Sequence, residues 1–166
     1  MGAKPSIQVP ICNCLPTDGL PYKAYEAAMK GHLSIISHYL TMRGNVNATY
    51  GGETMLHAAC KNGRENVVHF LLKINSLCVN LRNNDNETAL MLAAGHGYKD
   101  CVQHLLENNF RCKIELHCKN NEEHTAVDIA HLRNHQEVAY YLSSFFQKPP
   151  PYTASQCKSS MKIPTK

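Results

Sequence analysis

Thr54-Met55-Leu56-His57-Ala58-Ala59-Cys60-Lys61-Asn62-Gly63 decides how this chain is read, because the same shape returns along it. Thr88-Ala89-Leu90-Met91-Leu92-Ala93-Ala94-Gly95-His96-Gly97 repeats it closely. Thr125-Ala126-Val127-Asp128-Ile129-Ala130, followed by Asn134, repeats it more loosely, and Tyr22-Lys23-Ala24-Tyr25-Glu26-Ala27-Ala28-Met29-Lys30-Gly31 is a weaker copy upstream. Gly31, Gly63, Gly97 and Asn134 fall 32, 34 and 37 residues apart. A period of that size predicts a stacked array of small units.

Each copy reads as helix, turn, helix. Ala24, Ala27 and Ala28 predict a short first helix that packs closely, and Gly31 predicts a left-handed stop. Leu33, Ile35, Ile36, Tyr39 and Leu40 recur at helical spacing after it. The equivalent stripes are Val67, Val68, Leu71 and Leu72; then Cys101, Val102, Leu105 and Leu106; then Val138, Ala139, Tyr141 and Leu142. Helices of two or three turns are marginal alone in water, so each unit needs its neighbours to cover its stripe. The array is therefore the folding unit.

The Thr-x-Leu-His-x-Ala-x-x-x-Gly core, the Val-Val-x-x-Leu-Leu second helix and the Val-Asn exit resemble ankyrin repeats. The resemblance covers about residues 18–146 and implies an all-α solenoid of stacked helix-turn-helix units joined by β-turns or fingers. The expected organisation is an arm over 1–21, a repeat domain over 22–146 and a disordered, basic, proline-rich tail over 147–166. Its units fall at about 18–49, 50–83, 84–120 and 121–146. The family assigns Thr54, Thr88 and Thr125 to opening their helices and His57 to a hydrogen bond between repeats. Met91 takes the place of that histidine in the third unit, Tyr22 takes the place of Thr in the first, and Asn134 stands where glycine is usual. Asn tolerates the left-handed region best after glycine, so the last turn is expected to survive. The surplus of the last interval sits in 109–118, which predicts a lengthened loop.

Residues 23–146 carry twelve Lys/Arg and twelve Asp/Glu, so the excess of positive charge lies in Lys148, Lys158, Lys162 and Lys166. A neutral body offers no basic face for nucleic acid. Eight cysteines in a chain of this length, with Cys60 and Cys101 on apolar helix positions, point to a reducing compartment, cytosolic or nuclear. Secretory leaders have a basic-then-apolar layout that the first residues lack. On that ground Asn47-Ala48-Thr49 and Asn86-Glu87-Thr88 are not read as glycosylation sites. Met1-Gly2-Ala3-Lys4-Pro5-Ser6 fits the myristoylation pattern, with Cys12 and Cys14 placed for a second acyl chain and peripheral membrane attachment. Pro149-Pro150-Pro151-Tyr152 resembles the Pro-Pro-x-Tyr ligand of WW domains, a preformed extended helix with Tyr152 as anchor.

For chemistry the sequence offers little. Cys112, His117, Cys118 and His124 are the densest metal-ligating cluster, without the spacing of a zinc knuckle. Asp128 and His131, three apart on one helix, read as a surface hydrogen bond. There is no nucleophile elbow or phosphate loop, and no cofactor is implied. What remains is a surface. Tyr50, Asn83, Asn84, Asp85, Asn86, Glu122 and Glu123 on the turns, with Lys30, Lys61, Asn62, His96, Leu132 and Arg133 at the helix ends, are expected to face a protein partner across a concave groove. Tyr50 and Arg133 are the favoured anchors, because Tyr and Arg concentrate interface energy. The resemblance implies a monomeric, non-enzymatic adaptor. A decoy imitating a larger ankyrin protein and a metal-binding regulator built on the Cys/His loop are the alternatives.

Overall fold

The computed structural model describes residues 20–108 and 113–147. Its helices come in four pairs: α1 (Tyr22–Lys30) with α2 (Leu33–Thr41), α3 (Met55–Lys61) with α4 (Glu65–Leu71), α5 (Ala89–Gly95) with α6 (Lys99–Glu107), and α7 (Ala126–Leu132) with α8 (Gln136–Gln147). First helices form one row, with α1 on α3, α3 on α5 and α5 on α7; second helices form another, with α2 on α4, α4 on α6 and α6 on α8. The first row is rich in alanine. Ala27, Ala28, Ala58, Ala59, Ala93, Ala94 and Ala130 are essentially fully buried, and such small side chains let short helices approach on both sides.

Three of the four first helices start on threonine. Thr54, Thr88 and Thr125 have extended backbones, and their hydroxyls accept from the amides of His57, Met91 and Asp128. Each such cap stabilises its helix by about 1 kcal/mol. In the first unit Pro21 caps α1 instead, its carbonyl accepting from Ala24 and Tyr25, with no side-chain cap. The turns at Gly31, Gly63, Gly97 and Asn134 all have positive φ. At Gly63 and Gly97 a second reason excludes a side chain. A β-carbon on Gly63 would lie 2.6 Å from the Tyr98 ring, and one on Gly97 would lie 2.4 Å from the His135 ring. The next unit's aromatic ring is seated on each turn.

Between units the chain projects as fingers. β1 (Thr49–Tyr50) and β2 (Glu53–Thr54) pair antiparallel in the register Thr49↔Thr54 and Tyr50↔Glu53. The Gly51-Gly52 turn is left-handed at both residues, as a two-residue hairpin requires. Later fingers are reduced to the bridge Arg82↔Thr88 and to the Asn120 amide on the His124 carbonyl at 3.0 Å. Asparagine ties one unit to the next. Asn47 donates to the Ser76 carbonyl and accepts from the Cys78 amide, both at 2.7 Å, while Asn80 does the same with Lys113 and Glu115 at 2.9 and 3.0 Å. The described part of the lengthened loop is docked through that second pair.

The apolar stripes hold with one correction. Val67, Cys101 and Val138 are buried, but Ile35 in the same column is 44 % exposed. That column faces the preceding unit, and none precedes the first among the described residues. No helix is long and apolar enough to cross a membrane among the described residues.

Candidate partner-binding face

His57 is held at both ring nitrogens. Nδ1 accepts from the Thr54 amide at 3.2 Å, which fixes the tautomer in which Nε2 donates to the Glu87 carbonyl at 3.2 Å in the third unit. Burial pushes its pKa below the ordinary histidine value, so the ring is neutral. His57 thus makes the inter-unit hydrogen bond that the family resemblance implies for it, and the structure adds a second such tie. Tyr25 occupies the corresponding position of α1, and its hydroxyl donates to Glu53 of the second unit. Met91, in the third unit, is buried and makes no such bond. There the fingers do the joining: Arg82 and Asn86 both donate to the Lys119 carbonyl, and the Asn121 amide donates to the Asp85 carbonyl.

The Tyr25 tie organises an aromatic cluster. Its ring lies 5.2 Å from that of Tyr50, and that of Tyr22 lies 5.5 Å from Tyr50. Tyr22 and Tyr50 are 54 % and 44 % exposed. Below them Glu53 accepts from Tyr25 on one carboxylate oxygen and from Lys61, at 2.9 Å, on the other. Burial would raise the Glu53 pKa, but the Tyr25 hydrogen bond and the Lys61 ammonium outweigh it and hold the carboxyl below its usual range. Burial, then the carboxylate, push the Tyr25 phenol up. Lys30 pairs with Glu26 at 2.7 Å one turn along α1. The outcome is a half-exposed tyrosine platform with two cations at its edge, on the side shared by the first-helix row and the first finger.

The remaining sequence candidates divide. Asp85 is exposed on the third finger. Asn62 donates to the Ala58 carbonyl, His96 Nδ1 donates to the Leu92 carbonyl, and Arg133 donates to the Gly95 carbonyl of the preceding unit at 3.3 Å. Asn83 accepts from the amides of Asp85 and Glu87, and Asn84 donates to the Gly51 carbonyl of the neighbouring finger. These five side chains are engaged in the scaffold. Asp128 is not paired with His131 as the spacing suggests; its carboxylate accepts from the Thr125 amide and hydroxyl at 2.9 and 2.7 Å. Those bonds lower its pKa. Sequence reasoning did not single out Tyr22 and Tyr25 as surface residues. The signal available was the occurrence of three tyrosines near one hairpin.

Of the Cys/His cluster, Cys118 is buried and donates to Glu115, while His124 Nδ1 lies 3.3 Å from Glu122; Cys112 lies outside the described residues. No group of three or more His, Cys, Asp or Glu gathers as a metal holder among the described residues. Cys60 and Cys101 are free and buried, and burial raises both thiol pKa values. Cys78 is disulfide-bonded. The acylation candidates Gly2, Cys12 and Cys14 and the WW-ligand residues Pro149, Pro150 and Tyr152 lie outside the described residues.

Threonine-capped helix pairs, glycine turns roofed by the next unit and asparagine-tied fingers define a class of stacked-repeat binding proteins. The chain matches the family model described as ankyrin repeats (3 copies) over residues 24–82 and 74–149, and it belongs to the ankyrin-repeat family. It is similar to alpha-latroinsectotoxin-Lt1a of Latrodectus tredecimguttatus, 26% identical over 120 residues that are 72% of this chain and 8% of that protein. It is also similar to the probable E3 ubiquitin-protein ligase XBOS33 of Oryza sativa subsp. japonica, 37% identical over 89 residues that are 53% of this chain and 17% of that protein. The chain thus matches less than a fifth of the length of either relative. At the level of the family it is a protein–protein interaction module.

Proposed function

We propose that the chain is a non-enzymatic adaptor that holds a protein segment against its first-helix and finger side, anchored on Tyr22 and Tyr50 with Lys30 and Lys61 at the edge. The observation that carries this reading is the tyrosine platform. Aromatic side chains half out of water, with Tyr50 packed on a Tyr25 ring whose hydroxyl is bonded to the half-buried Glu53 carboxylate, supply contact area at low entropic cost when a partner covers them. Asp85 on the third finger extends the face toward cations of the partner. The arm and tail contribute separately in this reading: acylation at Gly2 with Cys12 and Cys14 attaches the adaptor to a cytoplasmic membrane surface, and Pro149, Pro150 and Tyr152 recruit a WW-domain protein.

Proximity labelling in cells with the full chain and with a Tyr22→Ala/Tyr50→Ala variant tests the face. Partners that disappear from the variant but persist with Tyr152→Ala support it. A partner set unchanged by the platform variant and emptied by Tyr152→Ala would leave binding to the tail alone and refute the face. Mass spectrometry showing an unmodified Gly2 would refute the acyl anchor.

A further inference from the structure

We infer that His69 and His104 form a two-histidine surface site for zinc that clips the second and third units together. His69 projects from α4 and His104 from α6, neighbouring helices of the second row, and their ring centres lie 5.2 Å apart. That separation is what a shared ion needs. With a Zn–N distance of about 2.0–2.1 Å and the ring centre about 1.1 Å beyond the nitrogen, two imidazoles at the tetrahedral angle have centres about 5.2 Å apart. The planes are inclined at 51°, so the pair is not stacked face to face. Neither ring has a protein hydrogen-bond partner among the described residues, whereas His57 and His96 are both bonded through theirs. His69 is exposed and His104 half-buried, so water and ions reach the pair.

Repeat architecture does not require these histidines. His69 aligns with Ser37, Gln103 and Tyr140 of the other units, and His104 with His38, Phe70 and Tyr141. The two stand in different columns and meet diagonally across the interface of α4 and α6. No third His, Cys, Asp or Glu completes a group with them among the described residues, so water fills the other coordination positions. Imidazole nitrogen with water is a donor set that suits zinc over magnesium or calcium. An ion held by one ligand from each unit binds only the stacked state, and it therefore stabilises the array by mass action.

The test is thermal unfolding of the full chain, stripped with EDTA and then titrated with zinc chloride. At free zinc about five times the dissociation constant, the midpoint should rise by about 2–4 °C and return on adding EDTA. His69→Gln and His104→Gln should each abolish the rise, and His38→Gln should retain it. If either pair variant unfolds early without metal, the wild-type ring resonances decide: those of His69 and His104 must move together on zinc addition. No rise in the wild type, a rise that survives both pair variants, or ring resonances that do not move together would overturn the site.

Discussion

His57 shows how one side chain joins three levels of this structure. It closes the N-terminus of its own helix through Thr54, spans to Glu87 in the next unit, and depends on neutrality to do both. The sign of its pH effect follows. An unfolded histidine titrates near 6.5 and the folded one lower, so the unfolded chain binds the extra proton first as pH falls. This contribution to stability is complete above pH 6.5 and is lost as pH drops from there toward the depressed folded value, by up to about 1.4 kcal/mol per pH unit. Urea unfolding at pH 7.5 and 5.0 should show the loss, and His57→Leu should lose less over the same interval. At pH 7.5 that variant should itself be weaker by about 1–3 kcal/mol, because it leaves the buried Thr54 amide without a partner and removes one of the two hydrogen bonds that the Glu87 carbonyl accepts, the other coming from the Asn83 amide. Tyr25→Phe removes the parallel tie to Glu53 and should cost about 1–2 kcal/mol in the same assay. The role of His57 was legible from its place after Thr54. That of Tyr25 was not, because a tyrosine in a histidine column reads as a departure until the position of Glu53 is known.

Among the elements, the turns carry the most specific expectations. Gly63 combines φ of 65° with a Tyr98 ring where a β-carbon would sit, so Gly63→Ala meets both backbone and steric costs. It should destabilise by about 2 kcal/mol or more in chemical denaturation. Asn134 has φ of 62°. Asn134→Gly should change stability by less than about 0.5 kcal/mol, while Asn134→Ala should lose about 1 kcal/mol. The helix pairs, threonine starts and turn positions were readable because they recur, and recurrence reports what every unit must do. Surface assignments at the same turns were much less readable. Asn62, Asn83, Asn84, His96 and Arg133 look free in sequence, yet each side chain bonds a carbonyl or an amide of a helix end or a finger.

On the scale of the whole molecule, function rests on what the scaffold leaves over. Tyr22, Tyr25 and Tyr50 are brought together by the first helix and the first finger, and Glu53, itself held by Lys61, fixes Tyr25 from the second unit. No short motif announces such a site, since its members are 3 to 28 residues apart and only the first finger unites them. The most direct measurement is the affinity of the full chain for a partner identified by proximity labelling, determined calorimetrically for the wild type and for Tyr22→Ala/Tyr50→Ala, with circular dichroism confirming that the variant is folded. The platform account predicts at least about a tenfold weaker dissociation constant for the folded variant, in line with the loss of an aromatic anchor. An unchanged affinity would contradict it.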